Sequence, residues 1–406
     1  MLPIILFVVV VLVLVWRGTT SDARGRLLRE GWQHAGRTRG VWRYVALGGD
    51  QFADELRART PRTLVTPALV IVKTGVFLLM LFGSGALGEP DTLMAWGASV
   101  GPETSNGGWW RLLTAIVVSW GAVHLVAELA GLVPAGILLE RLVGPGAFAT
   151  IFLGAGAIAG AAGLAAHPVT VQAGATGAIA GLYGLLLTLA IWGWIRPSPA
   201  TLPLATVRRL WPGPALFVLY ALLAEGLGSE TLRAGFASGV GGGLVLAAGL
   251  GQRTPRPRQL ATVTGLALLV VAVLAVPVRG MADVAAEVAY VADVEARTSA
   301  VYDTAVERFR QGRLDASGLR AVIEQSVLPE LDAARAQVAN VGRVPVEQRA
   351  LVDGAFEYLR LREQSWRMRA EGLGEGDFTT ISEADRLARE ARAALQQITR
   401  AVGLHD

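Results

Sequence analysis

The sequence predicts an all-α, polytopic membrane protein with a membrane core, one extra span on each side of that core, and a soluble helical bundle at the C-terminus. Three observations predict it. Hydrophobic residues make up 52% of 406 residues, 49 residues are glycine, and the mean hydropathy is +0.46, too apolar for a wholly soluble chain. Apolar stretches recur along the first 278 residues, most of them close to the roughly 20 residues needed to cross a hydrocarbon core. From about Gly280 the pattern changes, and apolar residues recur at helical spacing among Arg, Glu and Asp.

The first stretch, residues 2–16, is short. It lacks a basic leader and a small-residue cleavage site, and reads as a retained anchor over residues 1–16. Residues 17–63 follow as a basic segment carrying Arg24, Arg29, Arg37, Arg43, Arg57 and Arg62 among others. The core, residues 64–250, contains the apolar stretches 64–82, 122–143, 147–166, 175–195, 211–227 and 232–250, and a further span occupies 260–278. Arg196, Arg208 and Arg209 mark one later loop, and Arg253, Arg256 and Arg258 another. With eight spans, all three basic segments fall on one side. The positive-inside rule makes that side cytoplasmic and puts both the N-terminus and the C-terminal domain outside. The expected place is therefore the bacterial inner membrane, with residues 280–406 extracytoplasmic. Those residues read as about four helices with breaks near Gly312, near Val341–Pro345 and across Gly372–Asp377, packed by their apolar stripes. No motif in them carries chemistry.

Composition excludes several functions. The chain has no cysteine, so disulfides, zinc–thiolate sites and a cysteine nucleophile are ruled out. Histidine occurs only at 34, 124, 167 and 405, which leaves few candidates for any imidazole mechanism. Net charge is +4, and Lys73 is the single lysine. The arginine excess reads as a coding bias, and no nucleic-acid partner, metal or other cofactor is expected. The bilayer is the expected partner.

Three segments carry more specific information. The first is Trp110-Arg111-Leu112-Leu113-Thr114. The second is His124-Leu125, followed by Gly136, Glu140 and Gly144 in a G-x-x-x-E-x-x-x-G run. The third is Gly174-Ala175-Thr176-Gly177, continuing to Gly181 and Gly184. Small residues at Gly156/Gly160, Gly177/Gly181 and Gly235/Gly239/Gly243 give helix faces on which backbones can approach closely. Taken in order and spacing, the three segments resemble the rhomboid intramembrane protease family, over about residues 60–250. The resemblance implies a six-helix core in which a fourth-span serine is activated by a sixth-span histidine, while a second-span histidine and asparagine stabilise the oxyanion.

Residue by residue, this sequence departs from that pattern. Thr176 stands at the nucleophile position, with a hydroxyl on a branched β-carbon of restricted rotamers. His124 stands at one oxyanion position and Glu128 replaces the asparagine at the other. The sixth-span histidine is missing, its place falling to Phe236, Ser238 or Gly239 according to the glycines aligned. A positioned base contributes about 10²–10⁴ in rate, and one oxyanion donor about 2.7–4 kcal/mol. These losses point to a pseudoprotease that binds transmembrane clients.

An alternative is an active endopeptidase in which Thr176, His124 and Glu128 form a rebuilt nucleophile–base–orienter set, because His124 and Glu128 share one helix face at i, i+4. A third reading is a purely structural anchor for the external domain. Lys73, mid-span, is expected to snorkel or pair. Glu140 is expected to fix backbone contacts, Trp109, Trp110 and Trp120 to anchor at the interface, and His167-Pro168 to begin an external turn.

Overall fold

The computed structural model describes residues 56, 58, 60, 62–83, 87–195, 212–224, 229–247 and 255–403. The expected anchor 1–16, most of the basic segment 17–63, and His34 and His405 lie outside the described residues. The chain divides into two compact units, Met1–Arg279 and Gly280–Asp406.

The first unit is built from α1 (Val65–Gly83), α2 (Ala122–Val143), α3 (Pro145–Ala166), α4 (Thr176–Ile195), α5 (Pro212–Ala224), α6 (Glu230–Ala247) and α7 (Pro257–Ala275). Five are long and apolar enough to cross a membrane: α1, α2, α3, α4 and α7, the last extended by a 3₁₀ turn to Val278. The two other expected spans are less complete. The described part of α5 is 13 residues, short of a crossing by itself, and α6 is 18 residues that open with Glu230 and Arg233 and run through a cluster of glycines. The fold is nonetheless all-α and multi-pass. Among the described residues, extended pairing is confined to isolated bridges such as Ser99 with Gln172.

A continuous apolar core joins the helices, with Phe77, Leu125, Leu129, Phe148, Phe152, Leu182 and Phe217 at its centre. Two features of the sequence explain how α1 and α2 are held. The buried Glu140 carboxylate, near the end of α2, accepts hydrogen bonds from the backbone N–H of Leu64, Val65 (2.8 Å) and Thr66 (2.8 Å). Those are the N–H groups that the first turn of α1 leaves without an intrahelical partner. Gly136, one turn earlier, lies where a Cβ would press on the Thr66 side chain. Within α2, Pro134 supplies no N–H to the Ala130 carbonyl. Gly213 of α5 packs against that carbonyl, and the Tyr183 hydroxyl donates to the next one, Gly131, at 3.0 Å. The proline is thus tolerated where neighbouring helices cover the disturbed turn.

The loop between α1 and α2 is pinned by the Trp-Arg-x-x-Thr segment. Arg111 donates to the carbonyls of Met94 (2.7 Å) and Ala98 (2.9 Å) and pairs with Glu103 at 2.9 Å. Thr114 donates to the Gly97 carbonyl at 2.7 Å. Of the three tryptophans expected at the interface, Trp110 and Trp120 are exposed and Trp109 is half-buried.

The second unit contains α8 (Val284–Arg310), α9 (Ala316–Val322), α10 (Leu328–Ala339), α11 (Arg349–Glu375) and α12 (Phe378–Ala401). A π turn over Ile323–Val327 joins α9 to α10. Pro329 follows it and cannot donate to the carbonyl four residues earlier, so the widened turn absorbs a proline inside one continuous rod. Four rods therefore form around Val291, Ile323, Leu331, Tyr358, Leu359 and Trp366. The third break is narrower than the sequence suggests. Helix α11 runs through Gly372 and Gly374 to Glu375, and the break is confined to Gly376 (φ 70°) and the extended Asp377 that caps α12. Gly372 is used for packing instead, since a Cβ there would meet Ile381 of α12 at 2.7 Å. Inside this bundle Glu295 accepts from Tyr358 and Arg362, both at 2.7 Å, and the Arg362 guanidinium lies 4.5 Å from the Trp366 ring centre.

Candidate functional site

The site begins with the start of α4. Gly174 sits at φ 120°, where a side chain is strained, and its N–H donates to the Ala115 carbonyl at 2.8 Å. A Cβ at this position would lie 2.5 Å from His124 Cε1 and 2.9 Å from Glu128 Oε1. The Gly-x-Thr spacing therefore has a physical cause. It lets the chain turn into α4 directly over the α2 face that carries His124 and Glu128.

Thr176, His124 and Glu128 do come together, and all three are buried. His124 Nε2 is 3.4 Å from Thr176 Oγ1 and 3.2 Å from Glu128 Oε1. The other ring nitrogen, Nδ1, faces the backbone N–H of Trp120 at 3.3 Å and accepts from it. This arrangement decides the imidazole's chemistry. With Nδ1 accepting, the neutral ring carries its proton on Nε2, which then points at Glu128 and Thr176. To take the Thr176 proton, Nε2 would have to be bare, and the ring proton would have to sit on Nδ1, against another donor. A doubly protonated ring has no lone pair at all. The carboxylate, moreover, meets the same nitrogen as the hydroxyl, whereas an orienting acid acts on the opposite one.

Glu128 is the hub of the cluster. Its Oε1 accepts from His124 Nε2 and from the Ala175 N–H; its Oε2 accepts from Ser119 Oγ at 3.1 Å and Lys73 Nζ at 3.0 Å. Lys73 and Glu128 are both fully buried, and Lys73 also donates to the Ile116 carbonyl at 2.6 Å. The expected pairing of Lys73 is therefore realised, with an internal acid; snorkelling is not. The cluster ties together α1, the end of the loop that precedes α2, α2 itself and the entry to α4. On its outer flank the His124 ring stacks on Tyr220 of α5, with centroids 5.5 Å apart.

The α4–α6 packing fixes what α6 presents to Thr176. Gly177 lies against Gly235 and Gly181 against Gly239, backbone to backbone, so closely that a Cβ on any of them would collide. Gly184 packs on the Phe236 carbonyl, and Ser238 bonds its own helix at Gly235. Gly239 thus meets α4 at Gly181, about 7.5 Å along the helix from Thr176, while Phe236 follows directly on Gly235 and touches Gly184 through its carbonyl. Thr231, whose Cγ2 comes within 3.2 Å of a Cβ built on Gly177, is an α6 side chain beside the start of α4. It offers a hydroxyl and no base.

Above Thr176 opens a cavity of about 460 Å³, lined by Ser99, Leu112, Gly160, Gln172, Thr176 and Thr231 among others. Ser99 and Gln172 pair their backbones across it, at 2.9 and 2.7 Å. His167, an exposed residue, also lines the cavity. Among the described residues, no group of three or more His, Asp or Glu could hold a metal ion.

Sequence reasoning placed His124 and Glu128 on one helix face and brought Thr176 to that face through the family resemblance. It missed Ser119, the Ala175 N–H and the Trp120 N–H, which arise from loop backbone that no side-chain pattern marks. The Lys73–Glu128 pair was within reach: a lone lysine inside a span requires a counter-ion, and Glu128 is the acid at comparable depth on the next helix.

Comparison with known proteins bears on the same region. Residues 106–253 match the family model of the Rhomboid domain. The chain is 38% identical over 116 residues to Rhomboid protease GluP of Bacillus subtilis (strain 168), covering 29% of this chain and 22% of that protein. It is 34% identical over 89 residues to the Putative rhomboid protease YdcA of the same organism, covering 22% of this chain and 45% of the relative. The chain thus spans less than half the length of each of these relatives.

Proposed function

We propose that this chain, which carries a Rhomboid domain over residues 106–253, is a catalytically silent rhomboid-like protein that binds transmembrane segments of client proteins without cutting them. One observation carries the reading. The imidazole next to Thr176 accepts from the Trp120 N–H on one nitrogen and faces Glu128 with the other, so it has no lone pair free for the threonine proton. The β-branch of Thr176 and a carboxylate at a former oxyanion position act in the same direction. Client binding rests on the cavity above Thr176 and on the protease names of the two relatives, whose substrates are proteins.

The second reading, an active intramembrane endopeptidase with Thr176 as nucleophile, is favoured by the 3.4 Å approach of Thr176 Oγ1 to His124 Nε2. Cleavage of a rhomboid-type transmembrane substrate in proteoliposomes separates the two. Wild type, Thr176→Ala and His124→Ala are run beside a verified active rhomboid. Silence of all three while the control cuts is the expected result. Cutting by wild type and not by either variant establishes the endopeptidase.

The domain plan belongs to the same proposal: an anchor at 1–16, a cytoplasmic segment at 17–63, the core at 64–250, a further span at 260–278 and an extracytoplasmic helical domain at 280–406. Alternating spans put the start of α1 and Glu140 on the cytoplasmic side and the cavity outside. A topology reporter fused after Asp406 should be active outside the cytoplasm; activity only inside would reverse the orientation.

A further inference from the structure

We propose that Lys73, Ser119, His124 and the Ala175 N–H form an oxyanion pocket that the chain fills with its own Glu128 carboxylate, and that Lys73 supplies the charge holding it there. Four donors from four separate stretches of chain converge on the two carboxylate oxygens: Lys73 at 3.0 Å, Ser119 at 3.1 Å, His124 Nε2 at 3.2 Å and the Ala175 N–H. Two of them, an ammonium and a backbone amide, can only donate. Such a set fits a carboxylate, whose lone pairs accept from all four, better than an acid, which must also donate through one oxygen. Both charged groups are fully buried and removed from bulk solvent, so the pair depends on these partners. Lys73 is further fixed by the Ile116 carbonyl, which leaves it aimed at the pocket.

The consequence reaches past the fate of Thr176. A site whose donors are already saturated cannot receive the oxygen of an incoming carbonyl, and removal of the Glu128 side chain should expose a receptor for a small monocarboxylate. The pocket is defined by geometry that holds whether or not the chain cleaves, so its test is separate from the cleavage assay.

The experiment uses the full-length protein in detergent micelles, with unfolding followed by intrinsic tryptophan fluorescence. Formate, acetate and chloride are compared at equal ionic strength. Formate should raise the melting midpoint of Glu128→Ala saturably, acetate should do so less, and chloride should not. Wild type and Lys73→Met/Glu128→Ala should show no formate-specific shift. A Glu128→Ala midpoint identical in formate and chloride overturns the proposal. Should Glu128→Ala fail to fold, the pair is tested by Lys73→Met, Glu128→Gln and the double variant. Recovery of most of the lost midpoint in the double variant supports the charge-holding role of Lys73, and losses that simply add overturn it.

Discussion

Gly174 shows how much of the site depends on single atoms. Its φ of 120° disfavours any side chain, and a Cβ would press on both His124 and Glu128. Gly174→Ala should therefore destabilise the protein by about 1–3 kcal/mol, the usual range for forcing a methyl into a filled interior. Gly241→Ala, in α6, is the matched control. Nothing lies within 4 Å of a Cβ there, so alanine should be neutral or stabilising by about 0.5–1 kcal/mol. Thermal melts of the two variants beside wild type check both signs. At this scale the sequence was informative about which side chains meet, because His124 and Glu128 share a helix face and Gly-x-Thr marks the turn above them. It was silent on the proton's address. That is set by the Trp120 N–H, a backbone group whose direction depends on the loop that precedes α2.

Helices show the same division between what patterns reveal and what packing decides. The bounds of α2 and of α4 agree with the apolar stretches, while α3 begins two residues earlier, at Pro145, where a proline's missing N–H is harmless. Which glycines of α4 meet which glycines of α6 could not be read, since several registers satisfy the same small-residue pattern. The observed register puts Gly239 on the Gly181 carbonyl. Gly239→Ala should force these helices apart and cost about 1–3 kcal/mol, read as a lowered midpoint.

In the second unit, helix caps give a pH dependence. Asp377 accepts from the Thr380 hydroxyl and the Thr379 N–H, and Asp315 from the Gly318 N–H and the Ser317 hydroxyl. These bonds hold both carboxyls below the ordinary aspartate range. A lowered value in the folded state means that the caps contribute in full above the unfolded-state value and lose their contribution as pH falls through the folded one. The melting midpoint should therefore decline as pH drops into the acid range, and the decline should be shallower in Asp377→Asn. A variant with an unchanged slope would show that the cap does not couple to folding.

On the scale of the whole molecule, two compact units carry separate cores and separate buried ion clusters. Lys73–Glu128 organises the membrane unit, and Glu295–Arg362 with Tyr358 organises the helical one. Arg362→Met would strand the Glu295 charge in the bundle, at a cost of about 3–5 kcal/mol. In the intact protein this loss should appear as a separate, earlier unfolding step in calorimetry, with the membrane unit's transition in place. The compositional shift near Gly280 made the existence of two parts legible, and the eight apolar stretches made the first a membrane unit. What remained out of sight was how α5 and α6 pack: Gly131 of α2 lies against Phe217 of α5, and the glycines of α4 meet those of α6.

Photo-crosslinking separates binding without cutting from proteolysis in a single measurement. A photoreactive residue at Val171, in the lining of the cavity, is introduced into the full-length protein and reconstituted with a reporter bearing one transmembrane helix. The mass of each adduct is then read. A protein that binds without cutting should give adducts that contain the intact reporter, in equal yield with threonine or alanine at position 176. Adducts holding only reporter fragments in wild type, turning to intact reporter in Thr176→Ala, would contradict binding without cutting. So would the absence of any adduct above the level given by the same residue placed at Leu268, on the exposed face of α7.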